Sequence, residues 1–484
     1  MSLTTQLRIG GKPRPAASGA TFERRNPMSG EVVTVAAAAS EADAAAAVDA
    51  AASALPAWSA LGPNPRRALL SKAADLLQAR TPDFIARVAA ETGATAGWAG
   101  FNVFLAAGML REAASLTTHV TGQVIPSDTP GSYAFSFRQP AGVVLGIAPW
   151  NAPVILGVRA LATPLACGNT VVFKASETCP ATHGLIVEVL EEAGLPPGAV
   201  NLITNAPADA PRLVESLIAN PAVRRVNFTG STKVGRRIAE FAGRHLTPVL
   251  LELGGKAPLV ILDDADLDAA VNAVAFGAFM NQGQICMSTE RVVVDEKVAD
   301  AFVAKLKAKA AALPVGDPRQ GEVVLGSMVS TSAAALVSDL AKDAKEKGAE
   351  LVLAPSVTHQ TVVSAAIVDR VTKAMRLYSE ESFGPIVAVI RVKGDDEAIR
   401  IANDSDYGLA AAVFSQNINR ALHVATRINS GICHINGSTV ADEAQMPFGG
   451  TKASGYGRFG GTAGIAEFTD LRWITIETAP HYPF

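Results

Sequence analysis

Five short apolar runs limit what this chain can become: Val143-Val144-Leu145-Gly146-Ile147, Thr170-Val171-Val172-Phe173, Val200-Asn201-Leu202-Ile203, Arg225-Val226-Asn227-Phe228 and Val249-Leu250-Leu251. Successive side chains of a strand point to opposite faces, so a run that is apolar almost throughout has to be buried on both. Amphipathic stretches such as Ala181 to Ala193 and Ala208 to Ala219 separate the runs and supply the covering helices. That alternation predicts β-α-β units and a parallel sheet. Pro248 precedes the last run, at the strand start where proline is tolerated. A second series follows Gly254, with strands expected over Leu259 to Leu262, Arg291 to Val294, Ile386 to Val392, Ala411 to Phe414 and Ile432 to Ile435. Helices are expected between them over Asp266 to Ala278, Val298 to Ala311 and Asn417 to Ile428. The expected class is α/β, with two lobes meeting near residues 252 to 286.

A chain of 484 residues makes about three domains at roughly 150 residues each. The alanine-rich stretch Ala36 to Ala54 reads as helix, with Ser40 and Asp43 forming a capping box, and Pro65 to Gln78 reads as a second amphipathic helix. Between Val120 and Gln139 the chain turns polar, and then Tyr133, Phe135 and Phe137 alternate as in a β-hairpin. Arg472 to Ile476 alternates in the same way. These strands fit either a subunit contact or a hairpin packed on its own lobe.

A net charge of -3 with 18% charged residues offers no field for nucleic acid or anionic lipid. The first fifteen residues lack the apolar stretch of a secretory signal, and no apolar run approaches the ~20 residues a bilayer demands. Four singly placed cysteines, Cys167, Cys179, Cys286 and Cys433, encode neither a disulfide framework nor a zinc site. A cytoplasmic protein without a metal is expected.

Cys286 lies in Gln282-Gly283-Gln284-Ile285-Cys286, a polar, glycine-containing loop context, whereas Cys167, Cys433 and Cys179 read as buried small hydrophobes. Local context alone leaves Cys286 equally open to catalysis and to burial. Glu252 follows an apolar strand and precedes Gly254-Gly255, so it projects from the carboxyl end of the sheet, where open α/β sheets place ligands. A partly desolvated carboxylate there suits a base for water; a salt bridge with Lys256 is the competing reading. Asn151, in Pro149-Trp150-Asn151, carries an amide able to hold an oxyanion, or is a turn asparagine. Phe228-Thr229-Gly230-Ser231 passes from a strand into a helix and offers N–H groups and a hydroxyl to a pyrophosphate, although it is not G-x-G-x-x-G. Lys174 and Glu177 stand where the ribose hydroxyls of a dinucleotide would lie, and the carboxylate favours NAD over NADP.

Together with Glu381-Ser382-Phe383-Gly384-Pro385 and Pro447-Phe448-Gly449-Gly450, these motifs resemble the aldehyde dehydrogenase superfamily over nearly the whole chain. The resemblance implies a Rossmann-like cofactor domain over 1–121 and 141–252, an α/β catalytic domain over 253–468, and small bridging β-strands over 122–140 and 469–484 used for a homodimer or homotetramer. It implies Cys286 as nucleophile, Glu252 as general base and Asn151 as oxyanion donor. Trp150, Lys174, Glu177, Gly230, Ser231, Leu253, Glu381 and Phe383 are implied as contacts to NAD, with NADP the weaker alternative. One departure stands out: many members carry a second, proton-relaying glutamate after Gly-Arg, but Gly457-Arg458 is followed here by Phe459.

Gly97-Trp98-Ala99-Gly100-Phe101-Asn102, Arg111 to Leu116, Met287-Ser288-Thr289-Glu290-Arg291 and the terminal Tyr482-Pro483-Phe484 are similar to the salicylaldehyde and vanillin dehydrogenase branch. Trp98, Phe101, Met287 and Phe448 are then expected to form an apolar slot for a benzene ring, with Arg159 available to a ring hydroxyl. The implied reaction is oxidation of an aromatic aldehyde to its acid through a cysteine thiohemiacetal and thioester. Alternatives are an aliphatic aldehyde or semialdehyde substrate, a CoA-acylating enzyme, and a non-catalytic structural protein.

Overall fold

In the computed structural model, which describes residues 2–478, 482 and 484, the five apolar runs lie side by side in an eight-stranded sheet. The spatial order is Gly455–Tyr456, Val249–Glu252, Val223–Thr229, Val143–Ile147, Thr170–Lys174, Val200–Ile203, Leu7–Ile9 and Lys12–Arg14, and the five central strands are parallel. The first run in sequence therefore sits between the second and the fourth. Winding reverses at that point, so the loops after Ile147 and Thr229 part and leave a crevice at the carboxyl ends of the strands. Helix Pro153–Ala166 follows directly and is buried at every residue, which is why it carries no polar stripe. It lies so close to helix Pro180–Ala193 that a Cβ on Gly157 would stand 2.6 Å from Ile186 Cδ1.

The second series forms a seven-stranded sheet in the order Glu350–Leu353, Ala366–Asp369, Ile386–Val392, Thr289–Asp295, Ala257–Ile261, Ala410–Phe414 and Ile432–Ile435. All neighbours are parallel except the first pair. Strand Thr289–Asp295 is central and wholly buried, so the loop preceding it is anchored in the core. A third, antiparallel sheet joins Gln123–Ile125 to Ser132–Pro140 and Ser132–Pro140 to Thr469–Glu477. One of its faces exposes Trp473, at 73%, and Leu471, and the other exposes Tyr133 and Ile476. No single helix among the described residues is long and apolar enough to cross a membrane.

Several expectations need correction. Ala36 and Ala37 end a strand, Val32–Ala37, and the helix begins only at Glu41, behind the capping box of Ser40 and Asp43. That strand belongs to a small sheet with Leu3–Thr5 and Thr21–Arg25 that the alanine bias concealed. Gly455–Tyr456 leaves the second lobe and pairs with Val249–Glu252 on the first sheet. Cys433 is half-buried, because its strand lies at a sheet edge, whereas Cys167 and Cys179 are buried. Of the terminal Tyr482-Pro483-Phe484, Pro483 lies outside the described residues, as do 479–481.

Candidate active site

The loop that carries Cys286 is shaped by three consecutive left-handed residues, Asn281 (φ 48°), Gln282 (φ 57°) and Gly283 (φ 69°). Two of these are not glycine, a conformation costing about 1–3 kcal/mol each that persists only where surroundings impose it. Here they do. Gln284 Oε1 accepts from Val329 N at 2.9 Å, Asn281 Nδ2 donates to the Asn151 carbonyl at 3.0 Å, and a Cβ on Gly283 would fall 2.2 Å from the Gly384 carbonyl. The loop delivers Cys286 to the crevice, half-buried. Asn151 is locked against the same loop: its Nδ2 donates to the Gln284 carbonyl at 3.0 Å, and Trp98 Nε1 donates to its backbone carbonyl at 2.9 Å. One amide proton is committed by that bond, and the other remains for an oxyanion.

Glu252 ends its strand with only 1% of its surface exposed. Its Oε1 accepts from Gly450 N at 3.2 Å, and its Oε2 has no hydrogen-bond partner among the described residues. Lys256, the alternative partner, pairs instead with Glu290. The Gly450 turn is braced by Arg458, whose Nη1 donates to the carbonyls of Gly450 at 2.8 Å and Gly457 at 2.7 Å. Burial pushes the Glu252 carboxyl up to about 8, against the opposing charge of Arg159. Burial, and next the Glu252 charge, push the Cys286 thiol up to about 12. The two glycines after Glu252 permit the approach of the parts: a Cβ on Gly255 would stand 2.2 Å from the Cys286 carbonyl, and one on Gly254 would stand 2.6 Å from Glu381 Oε2.

Three cavities meet here. One of about 470 Å³ is lined by Lys174, Glu177, Trp150, Gly230 and Ser231. It shares Pro149, Trp150, Thr229, Gly230 and Ser231 with a second, of about 220 Å³, that reaches Glu252, Leu253, Glu381, Phe383 and Cys286. In the first, Lys174 Nζ lies 2.5 Å from Glu177 Oε1, which also accepts from Asn205 Nδ2 at 3.0 Å. Burial raises the Glu177 carboxyl, but the Lys174 charge and the hydrogen bonds from Lys174, the Glu177 backbone and Asn205 together outweigh it and hold it below the usual carboxylate range. Ser231 caps helix Thr232–Arg244, accepting from Val234 N, so the helix N-terminus opens onto the cleft. Trp150 and Phe383 face each other edge to face at 5.9 Å.

The third cavity, about 200 Å³ and mostly apolar, is lined by Trp98, Phe101, Met287, Phe448, Arg159 and Cys286 among others. Trp98 and Phe101 stack at 5.7 Å. Arg159 is not a free cation: it pairs with Asp442, and its guanidinium lies 4.2 Å from the Phe448 ring centre. Asp442, Gly450, Arg458, Asn281 and the Lys256–Glu290 pair were missed in the sequence. Asp442 sits 283 positions from its arginine, a separation that leaves no local signal. Phe459 is buried against Phe468 and near the Arg159 guanidinium, so an aromatic ring occupies the position after Gly-Arg.

A doubly lobed α/β fold with a thiol, a carboxyl and a carboxamide at the end of a long cleft is that of a dinucleotide-linked dehydrogenase. The chain belongs to the aldehyde dehydrogenase family, whose profile matches residues 14–474. It is 62% identical to a vanillin dehydrogenase of Pseudomonas fluorescens over 482 residues, covering 99% of this chain and 100% of that one. It is 52% identical to a salicylaldehyde dehydrogenase of Pseudomonas putida over 466 residues, 96% of each chain. Among solved structures, salicylaldehyde dehydrogenase from Pseudomonas putida G7, complexed with salicylaldehyde, matches with a TM-score of 0.98 at 51% identity over 100% of both chains. The family works with NAD or NADP.

Proposed function

We propose that this enzyme oxidises aromatic aldehydes of the vanillin, salicylaldehyde or benzaldehyde type to carboxylic acids with NAD. The observation that carries the reading is the position of Cys286: it lines both the apolar cavity and the cofactor-side cavity, together with Asn151 and Leu156. A carbonyl carbon entering from the apolar side reaches the sulfur facing the cleft.

Residues 1–121 with 141–252 are read as the cofactor domain and 253–468 as the catalytic domain. The continuous cleft from Lys174 to Cys286 fits an extended dinucleotide, and the ionised Glu177 repels a 2′-phosphate, favouring NAD. When bound, the cofactor supplies a hydride acceptor and a positive ring beside the thiol. As the sulfur of Cys286, neutral at rest, bonds to the aldehyde carbon, its S–H proton passes to the Glu252 carboxylate and on to solvent, and the free proton of the Asn151 amide receives the oxyanion. Loss of hydride from the thiohemiacetal leaves a thioester. Glu252, its carboxyl pushed up to about 8, takes in its ionised form a proton from water as the water oxygen bonds to the thioester carbon; the C–S bond breaks, and the proton returns to the departing sulfur, releasing the acid and the free thiol.

Trp98 and Phe101 supply ring faces, and the Arg159–Asp442 pair supplies the polar edge, suited to a ring hydroxyl. The same pair disfavours semialdehydes, because the charge that would receive a distal carboxylate is already neutralised by Asp442. The buried base disfavours a CoA-acylating reaction, since activated water would consume the thioester. We read the exposed face of Thr469–Glu477 and its neighbours as a subunit contact in a homodimer or homotetramer, and the protein as cytoplasmic. The test is NADH formation with vanillin, salicylaldehyde, benzaldehyde and succinic semialdehyde, each with NAD and NADP, and identification of the product. Free aromatic acid formed with NAD is expected; a preference for succinic semialdehyde, or an acyl-CoA product, would overturn the reading.

A further inference from the structure

Lys256 lies four residues after Glu252, and Glu290 lies four residues after Cys286. Their side chains meet in the interior, Lys256 Nζ to Glu290 Oε2 at 2.6 Å, with side-chain exposures of 0% and 4%. A buried ion pair therefore joins the segment that carries the base to the segment that carries the nucleophile. Arg291, next in the same strand as Glu290, adds a second link by donating from Nε to the Lys256 carbonyl at 3.2 Å.

The remaining acceptor capacity of Glu290 is turned toward a third segment. Glu290 Oε1 accepts from Ser382 Oγ at 2.9 Å, Ser382 N at 3.0 Å and Phe383 N at 3.1 Å. These bonds hold the turn in which Phe383 takes a left-handed backbone (φ 44°), unfavourable for a bulky residue unless neighbours impose it. With the turn held, Glu381 accepts from Gly255 N at 2.8 Å, and the Phe383 ring faces Trp150 across the cavity that contains Cys286. None of Lys256, Glu290, Arg291, Glu381, Ser382 and Phe383 lines the cavity that holds Lys174 and Glu177.

We infer that Glu290, charge-balanced by Lys256, is a positioning residue: it fixes the Glu381–Phe383 turn relative to Cys286 and Glu252, and so places the nicotinamide end of the cofactor for hydride transfer. The inference rests on the functional reading above and deepens it. Displacing a reacting group by about 1 Å costs as much as 100-fold in rate. Removing the acceptor leaves the buried Ser382 N–H and the part-buried Phe383 N–H unpaired and frees the turn.

The experiment compares wild type, Glu290→Ala, Glu290→Gln and the charge-neutral double variant Glu290→Gln with Lys256→Met. Single-turnover NADH formation is measured beside the Kd of ADP, a probe of the adenosine end alone. Glu290→Ala is expected to slow NADH formation 10- to 100-fold and raise the KM for NAD several-fold, while ADP affinity stays within about two-fold of wild type. The double variant, which keeps an acceptor at 290 and strands no charge, is expected to recover rate relative to Glu290→Gln. An unchanged rate in Glu290→Ala overturns the inference. So does a parallel loss of ADP binding in Glu290→Ala and the double variant, which would make the pair a general support of the fold. A wild-type protein that forms no NADH with any aldehyde would instead overturn the functional reading.

Discussion

Glu252 is asked to be a base although its burial favours the protonated form, and its surroundings show how both hold. One oxygen is fixed by Gly450 N while the other is left without a protein partner, so the carboxyl is oriented yet keeps a free lone pair for water. Its proton affinity near 8 places the working form within reach at neutral pH. Glu252→Gln should therefore give one burst of NADH followed by slow turnover, seen in a stopped-flow trace; full steady turnover would refute the base. The same residue ties activity to stability. Between about 4.5, its ordinary value, and 8, the folded protein binds a proton that the unfolded chain has lost, so stability falls as pH rises through that window. Glu252→Gln removes this burden, on the order of a few kcal/mol. Its Tm should exceed wild type by more at pH 8.5 than at pH 5, and an equal difference at both would count against a strongly raised carboxyl. Cys286 and Glu252 stood out in the sequence because each lies beside glycines at a strand boundary. Asp442 and Glu290 did not, since a charged residue in a loop or strand carries no mark of the partner it will meet.

At the scale of elements, the site depends on where side chains are missing. Gly255 admits the Cys286 carbonyl to a place that a Cβ would occupy, and Gly254 does the same for the Glu381 carboxylate. Gly255→Ala should force the nucleophile loop away from the base segment, at a cost of about 1–3 kcal/mol in stability by overpacking. Calorimetry would show the lowered Tm, and the NADH burst should shrink more than ADP affinity; a normal burst would mean that the loop adapts. The strands and helices around these turns were readable, since apolar runs and periodic helices report burial locally. Ile386–Val392 and Ile432–Ile435 fall where the runs predicted them. The small sheet of Leu3–Thr5, Thr21–Arg25 and Val32–Ala37 did not declare itself, because short strands with mixed exposure lack a clear alternation. The left-handed backbone at Asn281 and Gln282 was equally hidden: neither residue requires it, and neighbouring segments impose it.

At the scale of the molecule, two sheets are set so that their strand ends converge on one crevice, and a third sheet stands apart with Trp473 and Leu471 exposed on one of its faces. An apolar face of that kind is normally covered. Trp473→Asp should convert the proposed oligomer to smaller species in sedimentation velocity, and an unchanged assembly would place the contact elsewhere. The α/β alternation and the family were legible in the chain alone, because hydrophobic period and motif spacing are local properties, and the same motifs singled out Cys286, Glu252 and Asn151 as the candidates for the chemistry. Only the tertiary structure decided that Arg159 is spent on Asp442, that Lys256 serves Glu290 and not Glu252, and that Cys286 opens onto two cavities at once. Those outcomes depend on which of several nearby charges and surfaces meet when segments up to 283 residues apart are packed together, and no local pattern encodes that choice.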